Sequence, residues 1–272
     1  CCVNGLGVCE LREPANCLAP HFFYGVGSSC TVPINPCPPD FSDVKINEVR
    51  TDEPVLTDDP NEYCEIVGTP GRSLNGLTYL VLGDQTSATQ PGNSGWIEHV
   101  TSLQGMTIPA DGHFLVAQST FALTLVPPNS VDLVVPDTIF DNSDNVTHLL
   151  VTEFTGTVGM DVDVDNNCAI DASPPWSSIV DRIAIIFDPF NGSTECHYGT
   201  GASDTKGPDI AAGGGVPFHV YRLPDASLPW LIGPQSTSFG VDTPGSNNNT
   251  PPLGACCYID QFSATQCNDQ LT

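Results

Sequence analysis

Between residues 44 and 83, apolar and polar positions alternate in three short runs, each closed by turn residues. Val44, Ile46 and Val49 sit among polar neighbours. Residues 63–67 (YCEIV) follow an acidic, proline-bearing loop, and residues 77–82 (LTYLVL) form a β-branched and aromatic run that stops at Gly83. Gly68, Pro70 and Gly71, then Asn75 and Gly76, supply turn chemistry between the second and third runs, because glycine and asparagine reach positive φ cheaply. The pattern predicts strand, loop, strand, turn, strand. Runs of the same kind recur at 96–100, 114–118, 131–135, 149–154, 179–187, 218–223 and 230–232, spaced by turn-rich loops as in a two-sheet sandwich. The most helix-like stretch, 177–187, has a continuous apolar and β-branched centre, IVDRIAIIF, and suits a buried strand better. No apolar segment approaches the roughly 18 residues that span a bilayer, so no membrane insertion is expected.

Composition agrees with a loop-rich all-β chain: 25 glycines and 25 prolines in 272 residues. That length allows one sizeable core with small appendages. Residues 200–216, rich in glycine and poor in apolar side chains, read as a long surface loop, and residues 240–252 as a polar, proline-bounded linker.

Several of these runs also form an ordered series: INEV, an acidic loop, EYCEIVG, GRSLNGLTYLVLGD and IPADGHFLVA, then SDNVTHLLV, FTGTVGMDVDVD, WSSIVDRIAII and the closing DTPGSNN. The series spans residues 43–248 and resembles a lamin tail domain of the kind found in secreted bacterial proteins. The resemblance implies an immunoglobulin-like β-sandwich used for binding or scaffolding, with no catalytic residues to carry over. Cys64 departs from it, standing where a large apolar residue is expected. The expected fold class is therefore an all-β, immunoglobulin-like β-sandwich over residues 43–239. A small disulfide-rich module at 1–39 precedes it, and a linker (240–252) and a C-terminal cysteine-rich tail (253–272) follow.

Charge narrows the partners. Against 7 basic residues stand 32 acidic ones, a net charge of −25 that repels phosphate backbones and anionic lipid alike. Nucleic acid is not an expected partner, although some lamin-type tails are associated with DNA.

Twelve cysteines set the compartment. Cys1, Cys2, Cys9, Cys17, Cys30 and Cys37 crowd the front, and Cys256, Cys257 and Cys267 the back. Such density in segments with no core of their own implies cross-linking in an oxidising, extracellular or cell-surface setting. Zinc fits less well, since no CxxC pair occurs and His21 and His197 lack ligand spacing. Starting at Cys1 without a methionine or leader, the chain reads as processed or as a fragment; a lipidated N-terminal cysteine would begin the same way. The tail restarts the opening pattern, a CC doublet followed by a third cysteine, and stops before the next would arrive. Three further cysteines, Cys64, Cys168 and Cys196, allow Cys168 to pair with Cys196, with Cys64 either an odd thiol able to cross-link or a buried free thiol.

The sharpest candidate for chemistry is MDVDVDNNCAID at 160–171. Asp161, Asp163 and Asp165 at alternate positions could turn toward one hard cation such as Ca2+, with Asn167 or Asp171 completing the shell. Asn166 takes the place of the glycine of an EF-hand-like loop, and Asp171 falls one place short of the bidentate position, so an exposed acidic loop pinned by Cys168 is the competing reading. Asp141, Asn142 and Asp144 form a weaker cluster read as turn capping. PGNSGW at 91–96 is similar to a serine-nucleophile loop, but His113 lies at a strand entry and gives the serine no base. The six histidines show no paired spacing. Glu62 and Glu65 read as solvent-facing residues of a strand edge. Asn145, Asn191 and Asn248 head N-glycosylation sequons. Trp96, Trp176 and Trp230 are either a sugar platform or core plugs.

These observations point away from an enzyme. They predict a secreted structural or adhesive protein whose copies associate head to tail through the cysteine-rich ends, in an open, filament-forming contact. The alternative is a polysaccharide- or ligand-binding module ancillary to an enzyme in a longer precursor.

Overall fold

The computed structural model describes residues 40–51, 61–84, 94–123, 125, 130–136, 140, 145–187, 196–208, 215–233 and 242–248, together with the backbone of two short strand pairs near the chain ends. No described residue is helical. At the front, β1 (Cys2–Val3) pairs with β2 (Val8–Cys9). The body contains β3 (Lys45–Arg50), β4 (Tyr63–Val67), β5 (Leu77–Asp84), β6 (Ser94–Ser102), β7 (His113–Gln118), β8 (Leu133–Val135), β9 (Val146–Thr152), β10 (Ser178–Ile185), β11 (Thr205–Lys206), β12 (His219–Arg222) and β13 (Trp230–Ile232). At the back, β14 (Cys256–Ile259) pairs with β15 (Thr265–Asn268).

The body strands form two packed sheets, a five-stranded one in the order β11-β10-β9-β5-β6 and a six-stranded one in the order β13-β12-β3-β4-β7-β8. Pairing is antiparallel except for β10 with β11 and β7 with β8. Every predicted body strand is present, with ends shifted by a few residues. The stretch read as a loop at 200–216 holds one unexpected strand, β11, whose two residues add only a parallel edge to β10.

The spacing of apolar residues in β3 explains its shape. Val44 and Ile46 obey a two-residue period, but Val49 comes three later, and the register slips between Ile46 and Glu48. That β-bulge keeps both Ile46 and Val49 in the core while adding Asn47 to the strand. The inner faces then meet: Ile46, Val49, Cys64 and Ile66 from one sheet pack with Tyr79, Val81, Leu150 and Ile183 from the other.

The continuous apolar runs of β5 and β9 are accounted for because the outer face of the five-stranded sheet is covered as well. Leu80, Leu82, Leu149 and Val151 point away from the sandwich centre into a second cluster, closed over by Val162, Trp176, Cys196 and Tyr198. On the outer face of the six-stranded sheet, Tyr63, Leu115 and Ala117 form a third cluster with Leu123. Full burial of each such large side chain contributes about 1.5 to 3 kcal/mol.

Candidate functional site

The acidic loop lies over the outer face of the five-stranded sheet. Its conformation is fixed from below. Asp161 bridges to Trp96 of β6, the Val162 amide donates to Gly95 O at 2.9 Å, and Cys168 is disulfide-bonded to Cys196. Gly95 permits this approach. It has φ +89°, and a Cβ there would lie 2.7 Å from Asp163 Cβ and 2.8 Å from the Tyr198 hydroxyl oxygen.

Within the loop the carboxylates are committed to local donors. Asp163, wholly buried, accepts from the Asn167 amide (3.0 Å), the Cys168 amide (3.0 Å) and the Tyr198 hydroxyl (2.9 Å). Asp161 accepts from the Asp163 amide (2.9 Å), Asp165 from the Asn167 side-chain amide (2.9 Å) and Asp171 from the Val164 amide (3.3 Å). Among the described residues these carboxylates do not converge as a group of three ligand atoms. Donors of this kind organise an Asx-type turn. Asp141, Asn142 and Asp144 lie outside the described residues.

Among the described residues, a larger concentration of buried charge lies elsewhere, on the outer face of the six-stranded sheet. Residues 242–248, read from composition as part of a linker, form a strap bound into the body there. Glu48, with no exposed surface, accepts from the Tyr63 hydroxyl (2.5 Å), the Thr243 amide (3.0 Å) and the Thr243 hydroxyl (3.0 Å), and meets His219 Nε2 at 2.7 Å. On the other edge of the ring, His219 Nδ1 is 3.1 Å from Asp242 Oδ1, an ion-pair distance without hydrogen-bond alignment. Asp242 also pairs with Arg50 at 2.5 Å. Gly233 makes room for the ring, since a Cβ there would lie 2.0 Å from His219 Nδ1.

Next to Glu48 is Glu65, also without exposed surface, which corrects the solvent-facing reading of that residue; Glu62 is buried as well. Glu65 accepts from the Asn47 side-chain amide (2.8 Å) and from the Gly245 amide (2.7 Å). Burial, then the nearby charge of Glu48, pushes its carboxyl well above the usual range. Burial opposes the charge on His219, but the hydrogen bond to Glu48 and the charges of Glu48 and Asp242 outweigh it, and the imidazolium is favoured. Glu48, His219 and Asp242 are close enough to suggest a metal ligand set. The two carboxylates, however, address opposite edges of one imidazole, which is the arrangement of a proton-bridged ion pair and not of three donors sharing one point.

The strap is held at its far end too. The Asn248 amide donates to Asp225 (2.9 Å), and its side-chain amide donates to Arg222 O (2.8 Å) and Asn47 O (3.4 Å). Asp225 in turn meets His113 Nε2 at 3.2 Å. Sequence reasoning did not single out Glu48, His219 or Asp242 as a group. The available signal was charge inside otherwise apolar strands: Glu48 in KINEVR, Glu65 in YCEIV and His219 in HVYR. INEV, EYCEIVG and DTPGSNN, far apart in the series, meet at this site.

A cleft of about 350 Å³ between β3 and β10 is lined in part by Lys45, Asp181, Arg182, Asp204, Arg222 and Leu228. Its guanidinium groups are already engaged. Arg222 grips both oxygens of Asp181 (3.0 and 2.9 Å), and Arg182 lies 3.5 Å from Asp204 and donates to Tyr198 O at 3.0 Å. Asp181 also accepts from the Ile46 amide (2.8 Å), so this group ties the two sheets together.

The remaining sequence candidates have structural roles. Ser94 is buried and its hydroxyl accepts from the Cys196 amide at 3.0 Å, while His113 is engaged by Asp111 and Asp225. Trp230 is fully buried beneath the Arg222 guanidinium, 4.3 Å from the ring centroid; Trp176 is buried and Trp96 half-buried. Asn145 is buried and accepts from the Phe187 amide at 2.8 Å, so neither it nor Asn248 offers a free side chain to a glycan; Asn191 lies outside the described residues. Cys64 is a buried free thiol whose pKa burial drives upward, beside Tyr79 and its 2.6 Å contact with His148. Cys1, Cys17, Cys30 and Cys37 lie outside the described residues.

No known family model matches this sequence, and neither the curated proteins nor the solved structures provide a match.

Proposed function

We propose that this chain is a non-catalytic structural protein of an extracellular matrix or cell surface, with a body resembling the immunoglobulin-like lamin tail domain. Its copies associate head to tail through the cysteine-rich ends. The observation that carries this reading is a shared backbone register. In β1 and β2 the second cysteine of the CC doublet, Cys2, lies opposite the next cysteine, Cys9. In β14 and β15 Cys257 lies opposite Cys267 in the same way. The intervening segments differ in length, so the common register marks one cysteine hairpin used at both ends. Contact between the front hairpin of one copy and the back hairpin of the next would join two different ends of the chain, a heterologous contact, which propagates instead of closing. The Cys168–Cys196 bond supports an oxidising compartment.

The body supports a scaffold role in a second way. Its densest polar groups, around Glu48 and Asp163, are buried and directed at one another, as supports for chain segments. Electron microscopy and non-reducing electrophoresis of natively purified protein test the reading. Multimers that collapse to one band on reduction are expected; material that stays monomeric at all concentrations ends the proposal.

A further inference from the structure

Residues 242–248 cross the outer face of the six-stranded sheet without joining a ladder, and both ends of the crossing lead to a histidine. Asp242 faces His219 directly, and Asn248 reaches His113 through Asp225. Each ring has an acceptor near both nitrogens. His219 lies between Glu48 Oε1 (2.7 Å) and Asp242 Oδ1 (3.1 Å); His113 lies between Asp111 O (3.0 Å) and Asp225 Oδ2 (3.2 Å). A neutral imidazole has one N–H and one lone pair, so it can satisfy only one of its two acceptors and turns a lone pair on the other.

We propose that residues 242–248 are a proton-operated latch, seated on the sheet while His113 and His219 both carry two ring protons and lifted when both histidines become neutral. This holds whichever way the chain ends associate.

The surrounding charges set the direction. Around His219 stand Glu48 and Arg50 from β3, Asp242 from the strap and Tyr221 stacked on the ring at 5.3 Å, with Tyr63 and Glu65 of β4 behind Glu48. Around His113 are Asp111 of its own turn, Asp225 of the 223–229 segment, and Asp43 in the same cleft. Arg50 alone opposes protonation, and the carboxylates prevail over it and over burial at both rings, so both histidines titrate above the ordinary 6.5. The contribution to strap binding is thus complete below 6.5 and is lost as pH rises through the raised native values. Glu65 acts in the same direction, since its ionisation at higher pH sets a second buried carboxylate beside Glu48.

Hydrogen exchange, with protection corrected for the intrinsic chemical rate, reads the latch at the Thr243, Gly245 and Asn248 amides. Between pH 6 and pH 9 their protection is expected to fall by about tenfold or more, the value of one unit of coupled titration, while the β9 amides keep theirs. Equal strap protection at both pH values overturns the proposal, as does loss in step with β9. His219→Gln and His113→Gln remove one titrating ring each and are expected to shrink the response. Should His219→Gln fail to fold, His113→Gln at the cleft rim decides alone, and an undiminished response in it counts against the latch.

Discussion

Glu65 accepts the amide hydrogen of Gly245 at 2.7 Å across 180 residues of chain, with no surface of the carboxyl left to solvent. A carboxyl in the middle of a central strand is thereby the anchor of a segment from the end of the body. Burying it is tolerable because each oxygen has a donor, Asn47 on one side and Gly245 on the other.

That pairing predicts an ordered pair of mutants. Glu65→Ala leaves the Gly245 amide without its acceptor and weakens the hold on Asn47, at about 1 to 3 kcal/mol for each buried group left unpaired. Glu65→Gln keeps an acceptor at this position and is expected to cost less. Urea midpoints measure both; a glutamine variant less stable than the alanine variant would contradict this account.

The Cys168–Cys196 bond closes a segment separated by 28 residues. Loop-closure entropy assigns such a bond about 3 to 4 kcal/mol. Its loss also frees Val162 and Trp176 from their cover over Leu80 and Leu149. The double variant Cys168→Ser with Cys196→Ser is expected to melt well below the parent protein. Unchanged melting would show that the loop holds without its clamp.

Cys64 is expected to be inert. It is wholly buried and its thiolate is disfavoured by burial, so iodoacetamide should label it only in denaturant. Labelling at Cys64 in the native protein, read by peptide mass spectrometry, would reopen it as a cross-linking thiol.

Stability should peak near neutral pH, because His148 on β9 of the five-stranded sheet titrates in the opposite direction from His113 and His219 on the six-stranded sheet. Burial, with His99 nearby, lowers His148 to about 3. The unfolded chain therefore binds the extra proton first, and stability contributed by neutral His148 is lost as pH falls below about 6.5 toward 3. Asp225, held low by His113 and its other donors against the effect of burial, adds to the loss at still lower pH. His113 and His219 produce the opposite slope above 6.5. Urea midpoints from pH 3 to 9 test the shape, and His148→Gln should flatten only the acid limb. A profile that rises or falls throughout would be incompatible with these environments.

Calcium is expected to leave the melting temperature unchanged, because Asp161, Asp163 and Asp171 already accept backbone amides. A melting temperature that rises with added calcium and falls with chelator would show that an ion displaces those donors.

Much of the fold was legible because strand burial is written in local pattern. The run at 63–67 coincides with β4, and 230–232 with β13. The bulge at Asn47 is present in sequence as a three-residue step between Ile46 and Val49. The buried polar site was not legible in the same way. A glutamate between apolar strand residues has the same local signature whether it faces water or, like Glu65, a distant amide. Residues 242–248 resemble a linker in composition, and long-range pairings, with Glu48, Glu65 and Arg50 among the partners, distinguish them. Asp161, Asp163 and Asp165 had the spacing of ligands, but Asp161 and Asp163 accept backbone amides, which no side-chain pattern records, and Asp165 accepts the Asn167 side chain.

The proposal of end-to-end association is tested most directly by a chain that stops at Asn248, retaining the body and its strap but lacking the second cysteine hairpin. Mass photometry and electron microscopy of equimolar mixtures with the full chain should show shorter multimers, because each truncated copy accepts a neighbour at one end and offers none at the other. If the truncated chain alone assembles to the same lengths as the full one, the cysteine hairpins do not join the subunits.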